Sequence, residues 1–145
     1  MKWKNNSLFG IIVLSLLIVS CSKEKKIKRQ LIGTWTATEI VTITTINSDS
    51  PSTDTDNSET NATFEKDGTG TAPGSGSGTN PFPKDFTWTN ADETLSIYDT
   101  DDETSTIYDV LEHSKKEIVL NTIKTEIISG DTYTNDITIT MNISD

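Results

Sequence analysis

The chain has 145 residues, of which 32% are hydrophobic and 23% charged, and its formal net charge is -10. This length accommodates one domain, and so acidic a chain lacks the clustered Lys and Arg that bind nucleic-acid phosphates. One His and one Cys exclude an intrachain disulfide and most zinc sites. Thr occurs 25 times, and because Thr is β-branched the composition favours strands over helices.

The first twenty residues have the pattern of an export signal. Lys2 and Lys4 supply positive charge, and residues 8–20 (LFGIIVLSLLIVS) form an apolar stretch of thirteen residues. A membrane-spanning helix needs about 20 apolar residues, so the stretch fits a signal-peptide h-region better. The segment IVSC, which ends at Cys21, resembles the lipobox of bacterial lipoproteins. The resemblance implies that residues 1–20 are removed, that Cys21 carries a diacylglyceryl group, and that its new amine is acylated, for example with palmitate.

The residues after Cys21 are predicted to form a basic tether over 21–30, ahead of a domain over 31–145. Five cations follow Cys21 closely, against Glu24 alone: Lys23, Lys25, Lys26, Lys28 and Arg29. A basic tether can bind anionic lipid headgroups electrostatically or remain a solvated linker, and both interpretations stay open. Ser22 follows the Cys, which resembles the default for sorting to the outer membrane, facing the periplasm.

Apolar residues alternate with polar ones along the rest of the chain, which predicts eight consecutive strands. The segment 47–60 is polar and acidic, with one Pro and no apolar residue except the Thr methyl groups, and is predicted to be a loop. The segment 73–83 holds three of the four prolines and three glycines, which predicts a flexible connection. Asp67-Gly68 predicts a hairpin turn. The predicted strands are 34–46, 62–66, 69–72, 85–89, 94–98, 104–112, 117–128 and 132–144.

The short connections between these strands predict their arrangement. Parallel strands need long crossovers, so the simplest topology is an antiparallel meander. Closing the sheet removes its exposed edges. The sequence therefore predicts an all-β fold, an antiparallel up-and-down β-barrel of about eight strands. Ile27 and Leu31 are four residues apart and could form a short helical turn that caps one end.

Several segments resemble the lipocalin-like lipoproteins of bacteria. Residues 30–36 (QLIGTWT) resemble their opening, in which Gly-x-Trp begins the first strand, and residues 62–71 (ATFEKDGTGT) resemble their hairpin. Phe86-Thr87-Trp88 resembles their aromatic strand, and segments near 95–97, 107–110 and 118–120 resemble the later strands. The resemblance covers nearly all of residues 30–145. It implies a calycin-type barrel that can bind or carry a small apolar ligand.

No motif in the chain predicts catalysis. There is no nucleophile motif, phosphate-binding Gly loop or His/Cys cluster, and His113 at a predicted turn has no neighbour suited to a proton relay. We therefore expect a protein that is not an enzyme and that uses no cofactor or metal. The carboxylates of the acidic segment Asp99–Glu103 could coordinate Ca²⁺, but the segment lacks the turn glycine and the distal bidentate Glu of a twelve-residue calcium-binding loop. A solvated acidic turn and a weak calcium site are the alternatives.

Two functions remain open from the sequence. In the first, Trp35, Phe86, Trp88 and Tyr133 line a cavity for a small apolar ligand. In the second, the same kind of residue fills the barrel, which then serves as a non-enzymatic interaction or structural module of the envelope. Its loops 47–60 and 73–83 would meet a protein partner, and an exposed Phe82 would mark that surface.

Overall fold

The structure is a computed structural model, and it describes residues 23–74 and 80–144. The predicted signal peptide, Cys21 and the centre of the predicted connection 73–83 lie outside these residues. The described residues contain one helix, α1 (residues 23–31), and nine strands. The strands are β1 (Gly33–Ile46), β2 (Ser52–Asp56), β3 (Thr60–Phe64), β4 (Thr69–Thr71), β5 (Asp85–Ala91), β6 (Thr94–Asp99), β7 (Ser105–His113), β8 (Glu117–Ile128) and β9 (Asp131–Ile143).

Eight of these strands close into an antiparallel barrel. The strands β1 and β3 to β9 pair in chain order, and β9 returns to pair with β1 from Trp35↔Ile143 to Ile46↔Tyr133. This arrangement confirms the predicted all-β, up-and-down barrel. The alternation of apolar and polar residues gives each strand an inner and an outer face. On β9, for example, Ile139 and Met141 are fully buried while their neighbours along the strand are more exposed.

The ninth strand corrects the prediction that residues 47–60 form a loop. β2 lies within this segment and pairs antiparallel with β1, where Ile40 is opposite Asp56 and Thr44 opposite Ser52. β3 pairs with the earlier part of the same edge of β1, from Gly33 to Ala37. The prediction was wrong because it relied on apolar residues, whereas β2 forms on backbone hydrogen bonds offered by a long neighbouring strand, and Thr suits such a strand.

Helix α1 closes the end of the barrel at which β1 begins. Ile27 and Leu31 are fully buried against the core, which confirms the predicted helical cap. The indole Nε1 of Trp35 donates a hydrogen bond to the carbonyl of Leu31 at 2.8 Å. Residues 23–30, predicted as a tether, are therefore packed onto the barrel rather than detached from it.

Aromatic rings fill the interior above this helix. Phe64 makes edge-to-face contacts with Phe82, Phe86 and Trp88, with ring centroids 5.3 to 5.8 Å apart, an arrangement that the ring quadrupoles favour. Gly70 leaves room for one of these rings, since a Cβ there would lie 2.2 Å from Phe86 Cε2. The base of the barrel is thus a packed core.

We call the end covered by α1 the base and the opposite end the mouth. At the mouth, β1, β8 and β9 run past the shorter strands and project beyond them, because the β1–β9 and β8–β9 ladders continue to Ile46 and Ile128. The β7–β8 ladder stops at Asp109↔Asn121. Beyond that point β7 and β8 have no ladder pairs and are joined by a hydrogen bond from Thr122 Oγ1 to the carbonyl of Ile107 at 2.8 Å.

Candidate functional site

Two adjacent cavities open at the mouth, and we name them by the nearest strand. The β9-side cavity has a volume of about 320 Å³, and Ile40, Ile137 and Ile139 form its apolar part. Ile139 belongs to the core and the other two pack against it. The rest of its lining is more polar: Thr42, Asp54, Asp56, Asn80, Pro81, Tyr108, Thr122 and Lys124.

The β6-side cavity is larger, at about 470 Å³, and more polar. Pro81, Phe82 and Ile97 supply its apolar surface. It shares four residues with the β9-side cavity, which places the two side by side: Asn80, Pro81, Tyr108 and Lys124. Its remaining lining residues are Pro83, Lys84, Asp99, Asp101, Asp102, Thr104 and Thr106.

Strand register places the polar residues at the rim. Ile40 and Thr42 of β1 face the interior, and their partners on β2 are Asp56 and Asp54. Because directly opposed residues of an antiparallel pair point to the same face, both carboxylates lie on the concave side of the sheet. Lys124 reaches the same side from β8, where it continues the inward series of Leu120 and Thr122. A rim of charged groups therefore surrounds an apolar floor.

Tyr108 stands between the two cavities. Its ring lies 5.9 Å from that of Phe82, and its hydroxyl donates to the carbonyl of Pro81 at 3.2 Å. Burial raises the pKa of Tyr108 to about 12, because the phenolate is poorly solvated inside the barrel. The hydroxyl therefore remains a neutral donor at physiological pH, and it holds the 80–82 segment against the mouth.

The rim carries more negative than positive charge. Five carboxylates line the two cavities, against Lys84 and Lys124: Asp54, Asp56, Asp99, Asp101 and Asp102. Hydrogen bonds from Ser58 lower the pKa of Asp56, and its Oδ1 accepts the Ser58 N–H at 2.8 Å. A rim of this sign attracts cations and repels anions.

The four predicted ligand-binding residues do not meet at a cavity. Trp35, Phe86 and Trp88 are buried in the packed core, and Trp88 Nε1 donates to the carbonyl of Thr69 at 2.9 Å. Tyr133 is half-buried near the tip of β9, opposite Ile46 and Glu126. None of the four lines either mouth cavity. Phe82, expected to be exposed if the loops bind a partner, is only 2% exposed and belongs to the core.

The lone histidine and the acidic turn have structural partners. His113 Nδ1 lies 2.7 Å from Gln30 Oε1, so this half-buried residue joins β7 to α1. Asp99 Oδ1 accepts the backbone N–H groups of Asp101 and Asp102 at 2.9 and 3.2 Å. Within residues 23–74 and 80–144, no three His, Cys, Asp or Glu side chains are grouped so as to hold a metal ion.

No protein-family model matches this chain, and no curated protein matches it either. Over the part of the chain that is described, no helix is both long and apolar enough to cross a membrane. The closed eight-stranded antiparallel barrel is consistent with the lipocalin-like resemblance of the sequence.

Proposed function

We propose that this protein is a lipid-anchored lipoprotein of the cell envelope whose lipocalin-like barrel binds a small amphipathic molecule at its mouth, without catalysis. The β9-side cavity supports the binding role, because three isoleucines form a floor beneath charged groups. Its lining is more polar than the mostly apolar lining that small-ligand sites commonly have, which favours an amphipathic over a fully apolar ligand. The volumes of about 320 and 470 Å³ suit a small molecule.

The filled core limits how deep such a ligand can enter. Trp35, Phe64 and Phe86 are packed in the core and are at most 2% exposed. A ligand would therefore rest on the floor of the mouth and leave one end at the charged rim. An apolar body with a polar or cationic end fits this arrangement better than a fully apolar molecule.

Anchoring through Cys21 agrees with the direction of the fold. The described part of α1 begins at Lys23, at the base, whereas both cavities open at the mouth. An anchor at Cys21 would hold the base next to the bilayer and leave the mouth facing away from it. We propose attachment to the outer membrane on its periplasmic side.

The binding role is tested by filling the mouth. Ile137→Trp places a larger side chain on the cavity floor, whereas Ile123→Trp adds the same volume on the outer face of β8, where Ile123 is 63% exposed. We expect a fluorescent amphipathic amine, measured by titration, to bind the wild type and the Ile123 variant alike, and the Ile137 variant at least roughly tenfold more weakly. Equal binding to all three proteins, or to none, would contradict a ligand site at the mouth.

The anchor is tested separately by mass spectrometry of the N-terminal peptide from protein expressed in a bacterial host. We expect Cys21 at the N-terminus, carrying the mass of a diacylglyceryl group and an acyl chain. Cys21→Ala should remove that mass and release the protein from the membrane fraction. An unmodified Cys21 thiol in the exported wild type would refute the anchor.

A second candidate function is a scaffold that meets a protein partner on its outer wall. The filled core and exposed apolar side chains favour it, since Ile123 and Ile127 are 63% and 74% exposed and Ile107 and Leu111 are also exposed. Exposed apolar residues that cluster can mark interaction sites. In this case Ile123→Lys/Ile127→Lys should abolish a specific cross-link to an envelope protein, while the amine titration stays unchanged.

A further inference from the structure

The fold separates the charges of the chain between its two ends. We define the base end as α1 with the turns 65–68, 92–93 and 114–116, and the mouth end as residues 47–59, 80–85, 99–104 and 124–136. The base end carries eight Lys or Arg against five acids, or against seven when Glu112 and Glu117, which flank the 114–116 turn, are included. The mouth end carries two Lys against twelve acids. The mouth end is therefore strongly acidic, whereas the base end is weakly basic and gathers its cations on α1 and the 114–116 turn.

The cations of α1 face solvent as a consequence of its packing. Since Ile27 and Leu31 bury one side of the helix, Lys25, Lys26 and Arg29 are exposed on its outer side. We call these three residues the basic face. The Lys28 Nζ atom lies 6.0 Å from the centroid of the Trp88 ring. Lys23 Nζ lies 3.1 Å from Glu93 Oε1, and both of these side chains are largely exposed.

The β7–β8 turn adds positive charge beside this helix. The contact between Gln30 and His113 holds the end of β7 against α1, and Lys115 and Lys116 follow directly as exposed residues. The turn is ordered by Ser114, whose Oγ accepts the backbone N–H of Lys116 at 3.1 Å. These lysines extend the basic face across the base.

We propose that the basic face docks on anionic lipid headgroups and thereby holds the barrel upright, with its mouth pointing away from the bilayer. The chain before α1 supports this occupant, because Cys21, the residue at which the proposed lipid anchor would be attached, is only two residues before Lys23. The inference rests on the anchoring part of the proposed function. The twelve acids at the mouth end are repelled by the same surface, so charge favours one orientation over the others.

The test measures the distance of the base from the bilayer in the full chain, purified from a bacterial host. Glu65→Cys places a donor dye on an exposed base turn, and the energy acceptor is a labelled lipid. Vesicles contain either phosphatidylcholine alone or phosphatidylcholine with phosphatidylglycerol. We expect energy transfer to be higher on the anionic vesicles at low salt, and the difference to vanish in concentrated NaCl, which screens charges within a few ångströms.

Charge reversal identifies the residues responsible. Lys25→Glu/Lys26→Glu/Arg29→Glu should remove the difference between the two vesicle types, because each cation contributes roughly fivefold to surface affinity and three reversals lower the docked population about 100-fold or more. A control with two charge reversals at the mouth, Lys84→Glu/Lys124→Glu, alters the lining of the mouth cavities but should keep the difference in energy transfer between the two vesicle types. Circular dichroism verifies that each variant retains the strand spectrum.

The outcomes separate the two proposals. If the chain floats with neither vesicle type at high salt, the anchor fails. If it floats with both but energy transfer is the same on neutral and anionic vesicles, the anchor stands and the docking is refuted. Retention of the full difference by the Lys25/Lys26/Arg29 variant would also refute docking through the basic face.

Discussion

Replacing Tyr108 by Phe tests the environment of the mouth most directly. The change keeps the ring that packs 5.9 Å from Phe82, and it removes only the hydroxyl that donates to the Pro81 carbonyl. At neutral pH the variant loses one hydrogen bond, so we expect its free energy of unfolding to fall by about 1 kcal/mol.

The effect should reverse sign at high pH. Burial raises the pKa of Tyr108 from 10.0 to about 12, so between these values the unfolded chain releases a proton that the folded protein retains. The wild type therefore loses stability as pH rises from 10 through 12, by a total of about 3 kcal/mol. The Phe variant has no such proton to lose. The stability curves of the two proteins should cross at roughly pH 11.

Urea unfolding of both proteins at several pH values from 7 to 12 measures this difference. Other titrating groups, including the lysines, are shared by the two proteins and cancel when their free energies are subtracted. An ultraviolet titration of the folded wild type should show one tyrosine ionising only near pH 12. A stability difference that stays constant across this range would show that the Tyr108 hydroxyl is solvated, and would refute the packed wall between the two cavities.

Three further changes test the core, the helical cap and the rim. Gly70→Ala should lower the free energy of unfolding, measured in urea, by about 1–3 kcal/mol, because the new methyl group clashes with the buried Phe86 ring. Thr71→Ala, at an exposed position of the same strand, should change this free energy little. Leu31→Ala should cost about 2–5 kcal/mol by leaving a cavity beneath α1; a loss below 0.5 kcal/mol would mean that the helix is detached. Asp54→Asn should weaken binding of a cationic probe at low salt and leave a neutral probe unaffected.

Much of the fold could be predicted because the signal is local. Alternating residues along β9 distinguish an inner from an outer face without knowledge of any neighbour, and the i, i+4 pair Ile27 and Leu31 predicts the cap in the same way. β2 could not be found by this method. Its residues are mostly exposed on both faces, and its pairing depends on β1 continuing past β3, which is a property of the assembled sheet.

The candidate site was predicted less well for a related reason. Large aromatic residues suit a ligand wall and a packed core equally, and only the positions of their neighbours distinguish the two. Phe64 and Phe82 take up the space beside Phe86 and Trp88, and Trp35 is buried with its indole hydrogen-bonded to Leu31. Three of the four expected wall residues therefore belong to the core. The residues around the mouth cavities come from distant segments, such as Asp54 and Lys124, and carry no shared motif.

By itself, the sequence determined a β-strand architecture, an inner face for each main strand and the basic segment that follows Cys21. Those features depend on residue type and on spacing along one strand or one helical turn. Tertiary structure decided where the interior is filled, where it opens and how the charges are distributed between the base and the mouth. These depend on strand register and on the unequal lengths of β1, β8 and β9, which bring together residues whose separation in the chain is too large for any local pattern to relate them.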